Sequence, residues 1–580
     1  MLDTLIKAAT IVDGTGAPPS NGDVGIRDGR IVEIGNLTEP AQETIDADGA
    51  LLTPGWVDVH THYDGQVTWD ETLDPSASHG VTTVVTGNCG VGFAPVPPDG
   101  HQELIELMEG VEDIPGTALY EGMPWGEWET FPEYLELLDR RQFALDVGTQ
   151  LSHGALRNYV MGARGRANEA PTADDLKRMS DLVEEAMRAG AVGFSSSRLL
   201  GHRSMSGEVV PGTYADEAEL VALAEGMARA GCGVFEIIPM IEEMGGDEKC
   251  ALELEMIRRI GEASGRPVTF TTAQPPPTPD VWKRVLEFSA EQNAAGANLR
   301  PQVASRPVSV VSSLKTYHMF MRRKSYLALE HLPITERIRE MRKPEVKAAI
   351  LADTDVPVEH AGAMANVFML LKMAAGVMYP ITSPMDYEPE AKEQLSVRAA
   401  KEGRPIDEVL YDFLLEKDGQ NFVVLFLANY AEGNMDVIHT MLTDPHTITG
   451  LSDAGAHVNL IFDAVAPTYQ MIHWVRDRKR GPKLPIEFVV HKQTGNNAEL
   501  YGFSDRGTIE VGKRADLNVI DFERLGLGEL EVHHDLPAGG SRILQSATGY
   551  IATLVNGVRT RKNDVDTGAR PGRVVRPGQA

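Results

Sequence analysis

The chain is 580 residues long, 42% hydrophobic and 24% charged, and its 54 Lys and Arg against 84 Asp and Glu leave a formal net charge of −30. This is the composition of a soluble globular protein with room for several domains, or for one barrel with appendages. The acidity argues against nucleic acid and against an anionic membrane as partners, since both demand a basic surface.

Taken in order, residues 1–53 read as short strands and tight turns. Leu5-Ile6-Lys7-Ala8-Ala9-Thr10-Ile11-Val12 is strand-like, and Asp28-Gly29 before Ile31-Val32-Glu33-Ile34 is a hairpin signal. Such a run cannot cover both faces of its own sheet. The other chain end offers matching strands near Leu517-Asn518-Val519-Ile520 and Ile551-Ala552-Thr553-Leu554-Val555. We therefore expect residues 1–56 and 506–580 to build one composite β-sandwich. Between them, strand and helix signals alternate, which predicts an α/β fold, a TIM-like (β/α)8 barrel over residues 57–505. Its strands are expected to lead into His60, and then at 80–89, 144–153, 191–197, 233–238, 267–272, 298–304 and 447–453. A mainly helical insertion at about 307–446 precedes the last strand. It is too long for a plain barrel connection and is expected to serve as a lid or as a contact in a homo-oligomer. Cys89, Cys232 and Cys250 cannot all pair within one chain. No apolar run is long enough for a signal peptide or a membrane span. The expected setting is the cytoplasm, without membrane.

Enzymes on this fold carry their reactive groups at the C-terminal strand ends. The first strand end reads Pro54-Gly55-Trp56-Val57-Asp58-Val59-His60-Thr61-His62-Tyr63-Asp64. Side chains alternate faces along a strand, so His60 and His62 point the same way and can converge on one metal ion. Other strand ends contribute Cys89 in Gly87-Asn88-Cys89-Gly90, His153, then Ser197 with Arg198, and Asp453 in Ser452-Asp453-Ala454-Gly455-Ala456-His457. His153 is placed to polarise a carbonyl or bind a carboxylate, with a hydrogen-bonded core histidine as the alternative. Arg198 and Arg306 are candidates for an anionic substrate group, because guanidinium pairs bidentately with carboxylate.

These motifs resemble the amidohydrolase superfamily, in its D-aminoacylase (N-acyl-D-amino-acid deacylase) branch. The resemblance runs from Ile11-Val12-Asp13-Gly14-Thr15-Gly16 through the His-x-His and Asn-Cys-Gly strand ends to Gly512-Lys513-Arg514-Ala515-Asp516-Leu517 and Thr567-Gly568-Ala569-Arg570-Pro571-Gly572. It implies a cytoplasmic metal-binding hydrolase in which a zinc-activated water attacks the amide of a small N-acyl amino acid. It further implies that Asp453 is the general base and that His60, His62, Cys89 and Asp453 hold the metal. The family also takes one His from strand five and one from strand six. Here those strands read Phe235-Glu236-Ile237-Ile238 and Phe270-Thr271-Thr272-Ala273. Glu236 is a candidate oxygen ligand in their place. One zinc ion, or another divalent metal, is expected rather than two. A lactone, carbamate or cyclic amide on the same site, and a non-catalytic homologue without metal, are the competing readings.

Overall fold

The structure is a computed structural model, and it describes residues 1–241, 247–357 and 363–577. Eight strands pair in chain order in one parallel sheet: Trp56–Asp58, Val81–Thr86, Asp146–Ser152, Gly193–Ser197, Val234–Ile238, Val268–Thr271, Leu299–Ala304 and Ile448–Gly450. Val81–Thr86, Asp146–Ser152, Gly193–Ser197 and Val234–Ile238 are buried along their whole length. Parallel strands covered on both faces behave this way, which is why their sequences are runs of small, β-branched and aromatic residues rather than alternations.

The first and last strands meet just beyond their ends. Thr61 and Ala454 form a parallel bridge, the His62 N–H donates to the Ala454 carbonyl at 2.8 Å, and the Asp453 N–H donates to the His60 carbonyl at 3.1 Å. The barrel is thus drawn together at the rim that carries the reactive side chains. Helices Ala173–Ala189 and Glu217–Ala230 follow strands three and four. Their first turns are closed by Thr172 in a capping box with Asp175 and by Asp216 accepting from the Glu219 N–H, so their starts are set by local sequence.

Both chain ends share one nine-stranded sheet. Leu51–Pro54 pairs antiparallel with Leu517–Ile520 and joins the two halves. Leu2–Ile11 is kinked at Ala8, which is left-handed at φ 51°. Its first half pairs with Ala41–Asp46 and its end with Leu51–Pro54. The sheet branches there and wraps a core of Ile6, Ile11, Val24, Leu52, Leu517, Val519 and Leu554. Buried ion pairs fasten this unit to the barrel floor: Arg506 reaches Asp146 at 2.6 Å, and Arg514 reaches Asp146 and Asp516 at 3.0 Å.

The structure amends the sequence reading in two places. Within the C-terminal segment, Gly526–His533 and Arg542–Thr548 leave the composite sheet and pair only with each other. This hairpin leans over the barrel rim that carries Asp453, where the Ile543 N–H donates to the Val458 carbonyl at 2.7 Å. The insertion is mainly helical, but it also contains a three-stranded antiparallel sheet of Val308–Ser312, Val423–Ala428 and Tyr379–Pro380. Its own core includes Leu314, Phe320, Ile350, Leu410 and Leu414. Short apolar runs such as Val423–Ala428 have no period that separates strand from helix. No helix among the described residues is long and apolar enough to cross a membrane.

Candidate metal centre

The first strand end behaves as alternation requires. Val57 and Val59 pack with Val85, Val192, Val234 and Ile448, while His60 and His62 are 0% and 1% exposed with ring centroids 5.4 Å apart. His60 Nδ1 lies 2.6 Å from Gln302 Oε1. An amide oxygen only accepts, so this contact assigns the ring hydrogen to Nδ1 and leaves Nε2 with a free lone pair. That Nε2 is 3.3 Å from Cys89 Sγ and 3.3 Å from Asp453 Oδ1. His62 Nε2 lies 3.9 Å from the same Asp453 oxygen. Burial pushes the His60 imidazole down to about 4 and holds His62 well below the usual range, so both rings are neutral and ready to ligate.

The donor set fits a divalent cation. Ligand atoms of His60, His62 and Cys89 all lie within 4.8 Å of one another. A tetrahedral ion with bonds of about 2.0–2.3 Å spaces its donors by roughly 3.3–3.8 Å. Cys89 is buried, is left-handed at φ 56°, and donates its N–H to Glu236 Oε2 at 3.2 Å. Asn88 fastens this turn by donating Nδ2 to the Thr61 and Val85 carbonyls at 3.1 and 3.0 Å. Burial pushes the Cys89 thiol up, and the carboxylates Glu112, Glu236, Asp453 and Asp64 push it further. Burial also raises Glu236 to about 8 and Asp64 to about 7. Glu236 Oε1 and Asp64 Oδ2 lack hydrogen-bond partners among the described residues. Burial and mutual repulsion disfavour charge on these carboxyls and the thiol, and a divalent cation among them would favour their ionised forms.

Asp453 sits on the loop after strand eight. Leu451, Asp453 and His457 are all left-handed, at φ 59°, 46° and 47°. Strained backbone of this kind persists where surrounding structure holds it, commonly at functional sites. Ser452 Oγ supplies the hold, at 2.6 Å from Asp58 Oδ2 and 3.0 Å from the His60 carbonyl. Gly455, at φ +94°, lies so close to the His62 backbone that a Cβ there would meet its carbonyl oxygen at 2.9 Å. The Asp453 side chain keeps 27% of its surface open. Burial, then the charges of Asp463 and Asp58, raise it to about 8.

The three substrate candidates part company here. His153 is fully buried, with Nδ1 on Ser196 Oγ at 2.9 Å and Nε2 on Glu219 Oε1 at 3.1 Å, so neither ring nitrogen is left for a substrate. Arg198 is engaged by Glu253 through Nε at 2.8 and 3.2 Å, and by the Ala215 carbonyl through Nη1. Arg306 differs. It is 2% exposed, stands 3.2 Å from Asp463, and lies with its guanidinium 3.9 Å over the Phe462 ring. Among the described residues its Nε, the atom 3.2 Å from Asp463 Oδ1, and its Nη1 make no hydrogen bond. Asp453, Asp463 and Phe462 line one cavity of about 30 Å³, walled by Arg542 and Ile543 of the C-terminal hairpin.

Two neighbours of the centre were not legible as strand-end residues. Glu112 comes from the end of helix His101–Glu112, and His202 comes from the loop after strand four, with Nδ1 3.0 Å from Ser197 Oγ. The single trace of Glu112 in the sequence is its spacing. It continues the buried stripe Leu104, Met108 by one more step of four.

A family model described as "Amidohydrolase family" matches residues 43–561. The chain is 25% identical to an N-acyl-D-aspartate deacylase of Alcaligenes xylosoxydans xylosoxydans over 589 residues, covering 100% of this chain and 96% of that protein. A solved D-aminoacylase superposes with TM-score 0.66 at 23% identity, covering 99% of this chain and 100% of the other. An N-acyl-D-glutamate deacylase of Bordetella bronchiseptica, solved with zinc and a phosphonate inhibitor, superposes with TM-score 0.63 at 24% identity, covering 99% of each chain.

Proposed function

The chain belongs to the amidohydrolase family, in its D-aminoacylase branch, and from that premise we propose that it hydrolyses the amide bond of an N-acyl amino acid, with one zinc ion as cofactor and Asp453 as general base. The observation that carries the reading is the convergence of one ligand atom each from His60, His62 and Cys89 within 4.8 Å, with the Asp453 carboxylate 3.3 Å from His60 Nε2 and 3.9 Å from His62 Nε2. His60, His62, Cys89 and Asp453, with Glu236 beside them, would hold a divalent metal, which when bound would lower the pKa of water and act as a Lewis acid for the carbonyl. Zinc suits a donor set of thiolate and imidazole. One ion suits a site whose fifth and sixth strands bring Glu236, Thr271 and Thr272 rather than histidines.

The protein's own groups carry the remaining work. An amide nitrogen leaves only once it has been protonated, so a base that takes a proton from the attacking water must hold it and hand it on. Asp453 is placed for that role: its carboxylate lies 3.3 Å from His60 Nε2 and 3.9 Å from His62 Nε2 and keeps 27% of its surface open. Arg306 is the group we assign to the substrate carboxylate. Its Nε pairs with Asp463 at 3.2 Å while its Nη1 has no hydrogen bond among the described residues, and a guanidinium binds a carboxylate bidentately. The relatives named as deacylases of N-acyl-D-aspartate and N-acyl-D-glutamate support the substrate class, and point to the D series within it.

The test is acyl release from a panel of N-acetyl D- and L-amino acids by zinc-loaded protein, with and without chelator. Chelator-sensitive release from one or more D substrates is the expected result. Zinc-loaded protein that cleaves none of them, while opening a lactone or a cyclic amide, would overturn the substrate assignment.

A further inference from the structure

Glu112 is 1% exposed and belongs to no barrel strand. Its Oε1 lies 3.5 Å from His62 Nδ1, and its Oε2 lies 3.5 Å from His457 Nε2. Neither His62 Nδ1 nor Glu112 Oε1 has a hydrogen-bond partner among the described residues, and at 3.5 Å the two face each other without forming a bond. The backbone holds these groups together. The His457 N–H donates to the Glu112 carbonyl, and the next residue, Asp113, accepts from the Asn459 N–H at 3.2 Å and from the Tyr317 hydroxyl at 2.7 Å. The end of helix His101–Glu112 is therefore stitched to the loop that carries Asp453.

A neutral imidazole has one N–H and one lone pair. His62 Nε2 faces the shared centre, so Nε2 offers a lone pair there only if Nδ1 carries the hydrogen. That hydrogen needs an acceptor, and Glu112 Oε1, 3.5 Å away and itself without a hydrogen bond, is the carboxylate oxygen that faces it. His60 meets the same requirement through Gln302. The two rings thus reach one point in space with opposite supports, a neutral amide for His60 and a carboxylate for His62.

We propose that Glu112 is a positioning residue of the metal centre: one carboxylate oxygen fixes His62 as its Nδ1–H tautomer, with Nε2 free for a cation, and the other holds the His457 ring against the site. This rests on the reading of His60, His62 and Cys89 as metal ligands, and does not depend on the substrate. Partners of this kind, bonded to the far nitrogen of a ligating histidine, orient the ring and raise its basicity, and their loss weakens metal binding about 10–100-fold. A glutamine at position 112 keeps the shape and loses the charge. Its oxygen can serve one ring, while its NH2 faces the other.

The experiment uses the full chain, stripped with chelator and titrated with zinc and with cobalt(II) against a competing chromophoric chelator. Wild type, Glu112→Gln and Glu112→Ala are compared. The expected result is an unchanged number of ions per chain, an unchanged cobalt ligand-field spectrum, and affinity about 10–100-fold weaker in both variants. Thermal unfolding of the stripped proteins checks the fold, and the near-isosteric Glu112→Gln carries the test should Glu112→Ala fail to fold. Affinity within about twofold of wild type in Glu112→Gln overturns the proposal. So does loss of a whole equivalent of metal, which would make Glu112 a ligand. A wild-type chain that binds neither ion overturns the metal-centre reading together with this one, whereas absent turnover with intact binding overturns only the substrate reading.

Discussion

Replacing Asp453 with Asn removes the proposed base at nearly constant shape. Asn tolerates the left-handed conformation that Asp453 holds at φ 46°. The bond from the residue 453 N–H to the His60 carbonyl, and the Ser452 anchor on Asp58, are untouched. General-base catalysis is worth about 10²–10⁴ in rate, or about 3–5 kcal/mol of barrier. Asp453→Asn should therefore lower kcat by at least a hundredfold on zinc-loaded protein. The same change should act oppositely on stability. Burial, Asp463 and Asp58 raise Asp453 to about 8, well above its unfolded value. A raised carboxylate contributes stability below about pH 4, and that contribution is lost as pH rises towards 8. At pH 8 the chelated variant should be more stable than chelated wild type, by about 1–3 kcal/mol, the ordinary cost of an uncompensated buried polar group. At pH 5 the difference should shrink. Steady-state rates on zinc-loaded protein, and calorimetry of chelated protein at the two pH values, measure both effects. Turnover within tenfold of wild type, or a chelated variant that melts lower at pH 8, would refute the reasoning.

Three further outcomes follow from the same geometry. Chelated wild type should be most heat-resistant near pH 6: Asp64 at about 7 and Glu236 at about 8 are raised by burial and cost stability as pH rises from about 4 to 8, whereas His60 and His457, lowered to about 4, cost it as pH falls below about 6.5. The increment from added zinc should accordingly be larger at pH 8 than at pH 6, which calorimetry with and without chelator reads; an equal increment at both would count against the cluster of buried carboxylates as the metal's surroundings. Arg306→Lys keeps the positive charge beside Asp463 but loses the planar fork, so KM for an N-acyl amino acid should rise roughly tenfold with kcat little changed, and the matching uncharged carboxamide should show no such rise. Cys89→Ser should weaken zinc binding and abolish the thiolate-to-cobalt charge-transfer absorption of the cobalt(II) protein; an intact band would remove Cys89 from the ligand set.

Much of the architecture is written locally. The strands of the barrel and of the composite sheet are legible because β-branched runs end in Gly, Asp and Asn turns, and helices such as Ala173–Ala189 open on their own capping residues. The shared face of His60 and His62 follows from a period of two and needs no tertiary information. That Gln302 supports one ring and Glu112 faces the other was decided only by the tertiary structure, since one comes from strand seven and the other from a helix end. His153 opens the helix His153–Met161 directly after strand three, and Ser196 and Glu219 take both its nitrogens. Arg198 and Arg306 are indistinguishable in the chain, and only packing gives Arg198 hydrogen bonds to Glu253 and the Ala215 carbonyl while Arg306 pairs with Asp463 and keeps Nη1 without a hydrogen bond among the described residues. The physical reason is common to these cases. Periodicity states which face a side chain shares with its neighbours in sequence, whereas a ligand's orientation and charge are set by atoms tens to hundreds of residues away, on other strands, helices and loops that only the fold brings together.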